Sequence, residues 1–499
     1  TFHYIVPARN FAKGEDFTIS RGYGNLKPGV PPLYSLILTP FYLINSDPRM
    51  FYFANVLLSL ISLYLFYLVL KRLTKNKWLI GLGLFLFVTN FYLYWYPQWA
   101  MAENLLLPLI IGSFYLILVR GSLRNIFLAA FVAIAFYATK YVAAPLALFY
   151  IIIFSIKLFF EKERYRKIGQ YFFFLFLLGV PLMAYLYYRL GISHIKSFIE
   201  LVAQFFPVLA GTSKGGVYLA GDSSWTSPSY LLTNFPRYFK ATLGFPERSL
   251  WDFSPIMPSY LAIIGYLGIV LSLLKKQTRL FAAALLTLLF GQILFVSTFY
   301  ALDMRYVYNV IPTLIVGVIL FFIFLRGVKR QKLIFWFLFG GLFVFYSLTN
   351  GLRIKNQIVL NLKYAEVPWY YISVLRLNDY FQMRQSPKPM VISPMIPYLI
   401  DFYSNGNYNL LPLAKAQEFR SEREKVWGPG DYSDLYALYK KYLNGGYELY
   451  VSTYGLGIES YLHEAFNNLY KDFDLTEVQN ECFTQCRIYK MKLKNAKNN

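Results

Sequence analysis

The sequence predicts a polytopic α-helical membrane protein that ends in an α/β domain outside the cytoplasm. Three observations predict it. Of the 499 residues, 57% are hydrophobic and 20% aromatic, an excess that calls for a non-aqueous solvent. The apolar residues are gathered into long runs as far as about residue 350, where the runs stop. The basic residues cluster in alternate connections between those runs, as cytoplasmic loops do. The formal net charge of +23 therefore reflects topology and does not point to nucleic acid.

Taken in chain order, residues 1–50 read as an outer first loop. Its segment 31–44, PPLYSLILTPFYLI, is apolar but short of a span. The paired prolines suit a helix start, and the length suits an interfacial helix at the outer surface. The competing reading is an extra span, which would reverse the N-terminus against the charge rule. Residues 51–350 read as a transmembrane bundle of about ten helices. The expected spans are 51–70, 78–97, 104–119, 125–139, 141–160, 168–190, 258–274, 280–299, 309–325 and 333–350.

Five connections are basic: Lys71, Arg72, Lys75 and Lys77; Arg120 and Arg124; Lys162, Arg164, Arg166 and Lys167; Lys275, Lys276 and Arg279; Arg326, Lys329, Arg330 and Lys332. All five fall on one side, which makes that side cytoplasmic. The long connection 191–257 and residues 351–499 then lie outside, as do the first fifty residues. Nothing before residue 51 would carry those fifty across a bilayer, so an upstream helix or signal segment is expected ahead of Thr1.

In the C-terminal domain, 366–382, 431–444 and 456–469 read as helical. Residues 389–393 and 447–452 read as strands, and the end, including 484–492, as a strand or hairpin. The alternation argues an α/β domain. No Gly-rich phosphate fingerprint occurs in it, which argues against a nucleotide site. The two cysteines, Cys482 and Cys486, lack the partners of a zinc site. Outside the cytoplasm they suit a disulfide across a tight turn. A straight strand would hold their Cα atoms roughly 13 Å apart, beyond bridging distance.

Charged residues at span boundaries are costly and mark sites. Four places qualify: Arg9, Glu15, Asp16 and Lys27 in the first loop; Glu103 at the start of a span; Lys140 between two spans; and Asp303 with Arg305 at a span boundary. All are expected at the outer interface, where cations would meet a lipid-linked phosphate. Each has a plainer reading. Glu103 suits a helix N-terminus from which it reaches water, Lys140 and Arg305 suit lipid headgroups, and Glu15 and Asp16 suit a solvated turn. Trp95, Tyr96 and Trp99 read as an interfacial aromatic belt.

The order of these features resembles a known family. Tyr4, Ala8 and Arg9 precede Lys27-Pro28 and Pro31-Pro32-Leu33-Tyr34. Glu103 opens a later outward-facing turn, followed by Thr139-Lys140 and by Arg305-Tyr306 ahead of Pro312. The pattern looks like the GT-C superfamily of glycosyltransferases, in the branch with protein O-mannosyltransferases and the aminoarabinose transferases of lipid A. The similarity covers about residues 1–350, and the C-terminal domain matches only in kind.

The resemblance implies transfer of a sugar from a polyprenyl-phosphate donor to an acceptor hydroxyl on protein, lipid or glycan, at the outer face of the plasma membrane. Lys140, Arg305 and Tyr306 would hold the donor phosphate, with Lys27 and Arg9 behind them. Glu103 would position the acceptor or the cationic network. The family's catalytic carboxylate lies about four residues before the position of Tyr4, and hence ahead of Thr1. Glu15 and Asp16 are nearby carboxylates that do not sit at the matching position.

In such chemistry a carboxylate takes the acceptor proton as the hydroxyl attacks, and the anomeric centre inverts. Polyprenyl phosphate leaves as a stable anion, so the second carboxylate of a glycoside hydrolase has no role. No cofactor is required, and use of a divalent metal is left open. Expected partners are the lipid-linked donor, membrane lipids and a hydroxyl-bearing acceptor. The alternative class is a transporter or flippase of lipid-linked sugars, against which the outer-face clustering argues. A membrane scaffold would leave the four charged places unexplained. An oligosaccharyltransferase would carry a Trp-Trp-Asp tract, which does not occur.

Overall fold

The computed structural model describes residues 2–15, 17, 30–47, 49–190, 219–220, 223–224, 229–246, 256–298, 303–326, 332–363, 380–381, 389–393, 408–413, 416–417, 426–427, 433–453, 456, 460–482 and 486–494. Two compact units result. Residues 30–359 form the first, and 2–29 with 360–499 form the second.

In the first unit each expected span coincides with a helix. These are α3 (Arg49–Leu73), α4 (Lys77–Val88) with α5 (Phe91–Trp95), α6 (Glu103–Leu118), α7 (Leu123–Thr139), α8 (Ala144–Phe159) and α9 (Arg164–Leu190). After them come α11 (Ser259–Leu273), α12 (Arg279–Val296), α13 (Val310–Arg326) and α14 (Lys332–Lys363). The apolar segment after the paired prolines is helix α2 (Leu33–Ile44).

Among the described residues five helices are long and apolar enough to cross a membrane, and the bent pair α4–α5 makes a sixth if it is one span. The chain is an integral membrane protein. Helices α6, α7, α11 and α13 are apolar but 15 to 17 residues long. At 1.5 Å per residue each covers about 23–26 Å, a little less than the ~30 Å hydrocarbon core. Helix α9 packs on α7 and turns Phe172, Phe173, Phe176 and Leu177 outward, as a lipid-facing helix does.

Three features depart from the sequence reading. The expected span 78–97 is broken by 58°. The cause is Asn90, whose side chain accepts the amides of Tyr92 and Leu93 at 3.0 and 3.3 Å and so caps a new helix. Asn350 donates to the carbonyl of Thr89 that the break exposes. A helix, α10 (Ser229–Thr242), lies within the long connection 191–257. Its buried Asn234, Tyr238, Ala241 and Thr242 recur at helical spacing. Finally, the helix expected over 333–350 runs on to Lys363.

Helices α11 and α13 approach more closely than side chains would allow. A Cβ placed on Gly265 would lie 2.7 Å from the carbonyl oxygen of Leu314, and one on Gly268 or Gly317 would collide with backbone. Small residues at such a crossing let membrane helices pack backbone to backbone.

The second unit is α/β. Its five-stranded sheet runs in the order β4 (Asn409–Pro412), β3 (Met390–Ser393), β7 (Leu449–Ser452), β9 (Cys486–Leu493) and β8 (Phe473–Cys482); two short antiparallel pairs, β1 (Leu219–Ala220) with β2 (Ser223–Ser224) in the first unit and β5 (Ala416–Gln417) with β6 (Val426–Trp427) in the second, are not part of it. Strand β3 is parallel to β4 and β7, whereas β9 is antiparallel to β7 and β8. Helices α15 (Ser433–Asn444) and α16 (Ser460–Asp472) bury Tyr439, Leu462, Phe466 and Leu469 against Ile392, Leu449, Val451 and Met491. Gly446 takes a φ of 78° just past α15, the left-handed step that ends a helix. Strand β4 was not foreseen, the hairpin of β8 and β9 answers the strand or hairpin expected at the end, and the helix expected over 366–382 lies outside the described residues apart from 380–381.

The hairpin β8–β9 places Cys482 opposite Cys486 in register. Facing residues of an antiparallel pair have Cα atoms roughly 4.5–5.5 Å apart, within disulfide range. Helix α1 (Phe2–Ala12) also belongs to this unit, where the sequence suggested only a loop.

Candidate active site

The site is built where three chain segments turn at the same end of the first unit. Helix α6 begins at Glu103, and an N-terminal carboxylate there suits the helix dipole. The approach to α6 is fixed by buried amides. Asn55 donates to the carbonyls of Pro97 and Trp99 at 3.1 and 3.0 Å, and Asn104 donates to that of Trp99 at 2.6 Å. Tyr34 on α2 donates to Asn55 Oδ1 at 2.6 Å, so α2 is tied to the same knot.

Helix α7 ends at Thr139, after which Lys140 takes an extended conformation and a 3-10 turn, Tyr141–Ala143, leads into α8. Lys140 Nζ donates to Glu103 Oε1 at 2.5 Å. Glu103 is only 2% exposed and Lys140 16%. The ammonium also stands 5.2 Å from the ring centroid of Tyr306, a cation–π distance.

The third segment is the 3-10 turn Met304–Val307 ahead of α13. Asp303 caps it, accepting the Arg305 amide at 2.9 Å. Its other oxygen, Oδ2, accepts Nε of Arg305 at 2.6 Å and pairs with Nη2 as well, so one oxygen holds two guanidinium nitrogens. Arg305 Nη1 reaches Met101 Sδ at 3.5 Å, which sets the guanidinium beside the start of α6. Tyr238 on α10 accepts the Asp303 amide at 3.0 Å and holds this turn from behind.

The structure thus brings together Glu103, Lys140, Arg305 and Tyr306. Each cation carries a carboxylate of its own; the sequence set Asp303 beside Arg305 and offered Glu103 as a positioner of the cations, without assigning the pairs. Arg9 and Glu15 belong to the second unit, where Arg9 is buried and donates to Asn10 Oδ1 at 3.0 and 2.9 Å. Asp16 and Lys27 lie outside the described residues. Among the described residues no group of three or more His, Cys, Asp or Glu is gathered as a metal site. Sequence reasoning named Tyr34 only as part of the motif that carries the resemblance and passed over Asn55, Asn104 and Tyr238. The available signal was a polar amide inside an apolar run, as at Asn55 in FANVLL.

No family model matches the chain, and no curated protein matches it. Solved structures do. ArnT from Cupriavidus metallidurans in the apo state superposes with a TM-score of 0.57 at 11% identity, over 98% of this chain and 92% of that one. The chain has a GT-C-like fold. ArnT from the same organism bound to undecaprenyl phosphate gives a TM-score of 0.56 at 10% identity, with the same coverage. In this GT-C-like bundle the paired charges occupy the ends of α6, α7 and α13.

Proposed function

We propose that this chain is a glycosyltransferase that takes a sugar from a polyprenyl-phosphate donor and passes it to an acceptor hydroxyl at the outer membrane face, with inversion. The observation that carries the reading is the convergence of Lys140 and Arg305, each braced by a buried or capping carboxylate, at one end of a GT-C-like bundle. The solved structure of ArnT with undecaprenyl phosphate supports a lipid phosphate as the ligand of such a fold.

Lys140 has three N–H donors and Arg305 five, so both keep donors beyond those held by Glu103 and Asp303. A phosphate bound against them gains hydrogen bonds as the glycosidic bond breaks and negative charge collects on its oxygens. Glu103 and Asp303 are committed to cations, and in this reading they orient Lys140 and Arg305. The acceptor hydroxyl gives up its proton to a carboxylate as it attacks the anomeric carbon.

The test follows radiolabelled sugar from polyprenyl-phosphate donors with the full chain in membranes. Arg305→Ala is expected to lower transfer by about 10²–10³. Arg305→Lys should also be poor, because an ammonium cannot reproduce a bidentate contact. Near-wild-type transfer by folded Arg305→Ala would overturn the donor-site assignment.

A further inference from the structure

Gln292 lies within α12, in the apolar stretch LLFGQILFV, and is only 3% exposed. A primary amide in such a place is costly unless it holds something. Its Nε2 donates to the carbonyl of Tyr306 at 3.0 Å and to that of Val142 at 3.3 Å. Val142 lies in the 3-10 turn after Lys140, and Tyr306 follows Arg305 in the other turn. One side chain therefore bridges the two turns that carry the two cations. The amide orientation is fixed by chemistry, since two facing carbonyls accept from the nitrogen and would repel the oxygen. The buried Oε1 has no hydrogen-bond partner among the described residues. An apolar side chain of similar bulk, such as leucine, would avoid that unmet acceptor while losing the bridge.

We propose that Gln292 is a positioning residue that sets the spacing between Lys140 and Arg305 by tethering the Tyr141–Ala143 turn to the Met304–Val307 turn. It touches no reacting atom. A phosphate that bridges two cations needs them at a fixed separation, and a loosened pair binds it with a loss of order in both turns. The inference rests on the phosphate reading above for its purpose, though not for the tether.

The experiment uses the full chain in lipid nanodiscs and has two arms. The first is amide hydrogen exchange of peptides over 140–143 and 303–307, where Ala143 donates to Lys140 O at 2.9 Å and Tyr306 to Asp303 O at 3.1 Å. Gln292→Leu should speed exchange in both turns together, by about tenfold or more, whereas Leu288→Ala, a core truncation on the same helix, should not couple them. Exchange that rises in one turn only, or in neither, overturns the tether. The second arm measures binding of undecaprenyl phosphate. Gln292→Leu should weaken it about tenfold in the wild-type chain and less than about twofold in Arg305→Ala, because both changes damage one contact. Additive losses, or no loss, overturn the positioning role, since a generally loosened bundle adds to Arg305→Ala independently. If the wild-type chain binds no undecaprenyl phosphate, the donor reading fails and the exchange arm alone judges the tether.

Discussion

Lys140 and Glu103 have to be considered as a pair before either is altered. Glu103 is almost wholly buried, and its salt bridge to Lys140 is 2.5 Å long. Removing the ammonium alone leaves an uncompensated carboxylate in a dry setting, which costs about 3–5 kcal/mol. Lys140→Met should therefore lower the thermal midpoint clearly, and adding Glu103→Gln should restore most of it. Melting the two variants side by side checks this, and equal midpoints would show that the pair is better hydrated than its burial indicates. The double variant is then the fair subject for a transfer assay, because it removes the cation without the stranded charge. The charged residues of the site were legible in the sequence, since each interrupts an apolar run. Their pairing was not. Glu103 and Lys140 are distant in sequence, and only the packing of α6 beside α7 brings them together.

At the scale of elements, the end of α6 opposite Glu103 is clamped by a second ionic knot. Lys157 donates to the carbonyls of Leu116 and Val119 at 3.0 and 2.5 Å, satisfying the helix terminus. Glu161, in the turn between α8 and α9, pairs with Lys167 at 2.7 Å and with Lys157 at 3.3 Å, and accepts the Gly121 amide at 3.0 Å. Burial acts to raise the Glu161 carboxyl, but Lys167, the Gly121 amide and Lys157 outweigh it and hold the carboxyl below its ordinary value of 4.5. A carboxylate with a depressed value adds stability above the ordinary value and loses it as pH falls through the depressed one. Acidification below about 4.5 should therefore release the α6–α7 and α8–α9 turns in the wild type. Glu161→Gln should show the loosened state already at neutral pH and little further change. Hydrogen exchange of the 119–122 segment against pH checks both arms.

Helix positions were well marked by apolar runs, because a long hydrophobic segment has few ways to satisfy its backbone in lipid. The 58° break was not read, although Asn90 inside an apolar run was its signal. Helix α10 was missed for the opposite reason. Its face is half polar, so it stands out by spacing and not by hydrophobicity.

For the whole molecule, the basic connections predict which end faces the cytoplasm, and the structure supplies exposed positions for testing it. Single cysteines at Lys75, Lys162 and Lys276, all exposed, should resist an impermeant thiol reagent in intact cells. One at Lys492, exposed near the end of β9 in the C-terminal unit, should react, with Cys482 and Cys486 replaced by serine throughout. Labelling in the reverse pattern would invert the orientation.

The counter-ion pairing has an electrical consequence at this scale. The chain carries a formal charge of +23, yet Glu103, Lys140, Asp303 and Arg305 sum to zero. From afar two neutral ion pairs act as dipoles, whose potential decays more steeply with distance than that of a lone ammonium. A phosphate ion diffusing in water is hardly drawn to them, so on the proposed function capture depends on an anion delivered at contact range by a tail already dissolved in the bilayer. Undecaprenyl phosphate binding should then change little between about 50 and 500 mM salt, a range over which screening lengths shrink to a few ångströms. Millimolar inorganic phosphate should fail to compete. A steep salt dependence, or ready competition, would mean that the cluster works as an open positive trap and recruits its anion from solution.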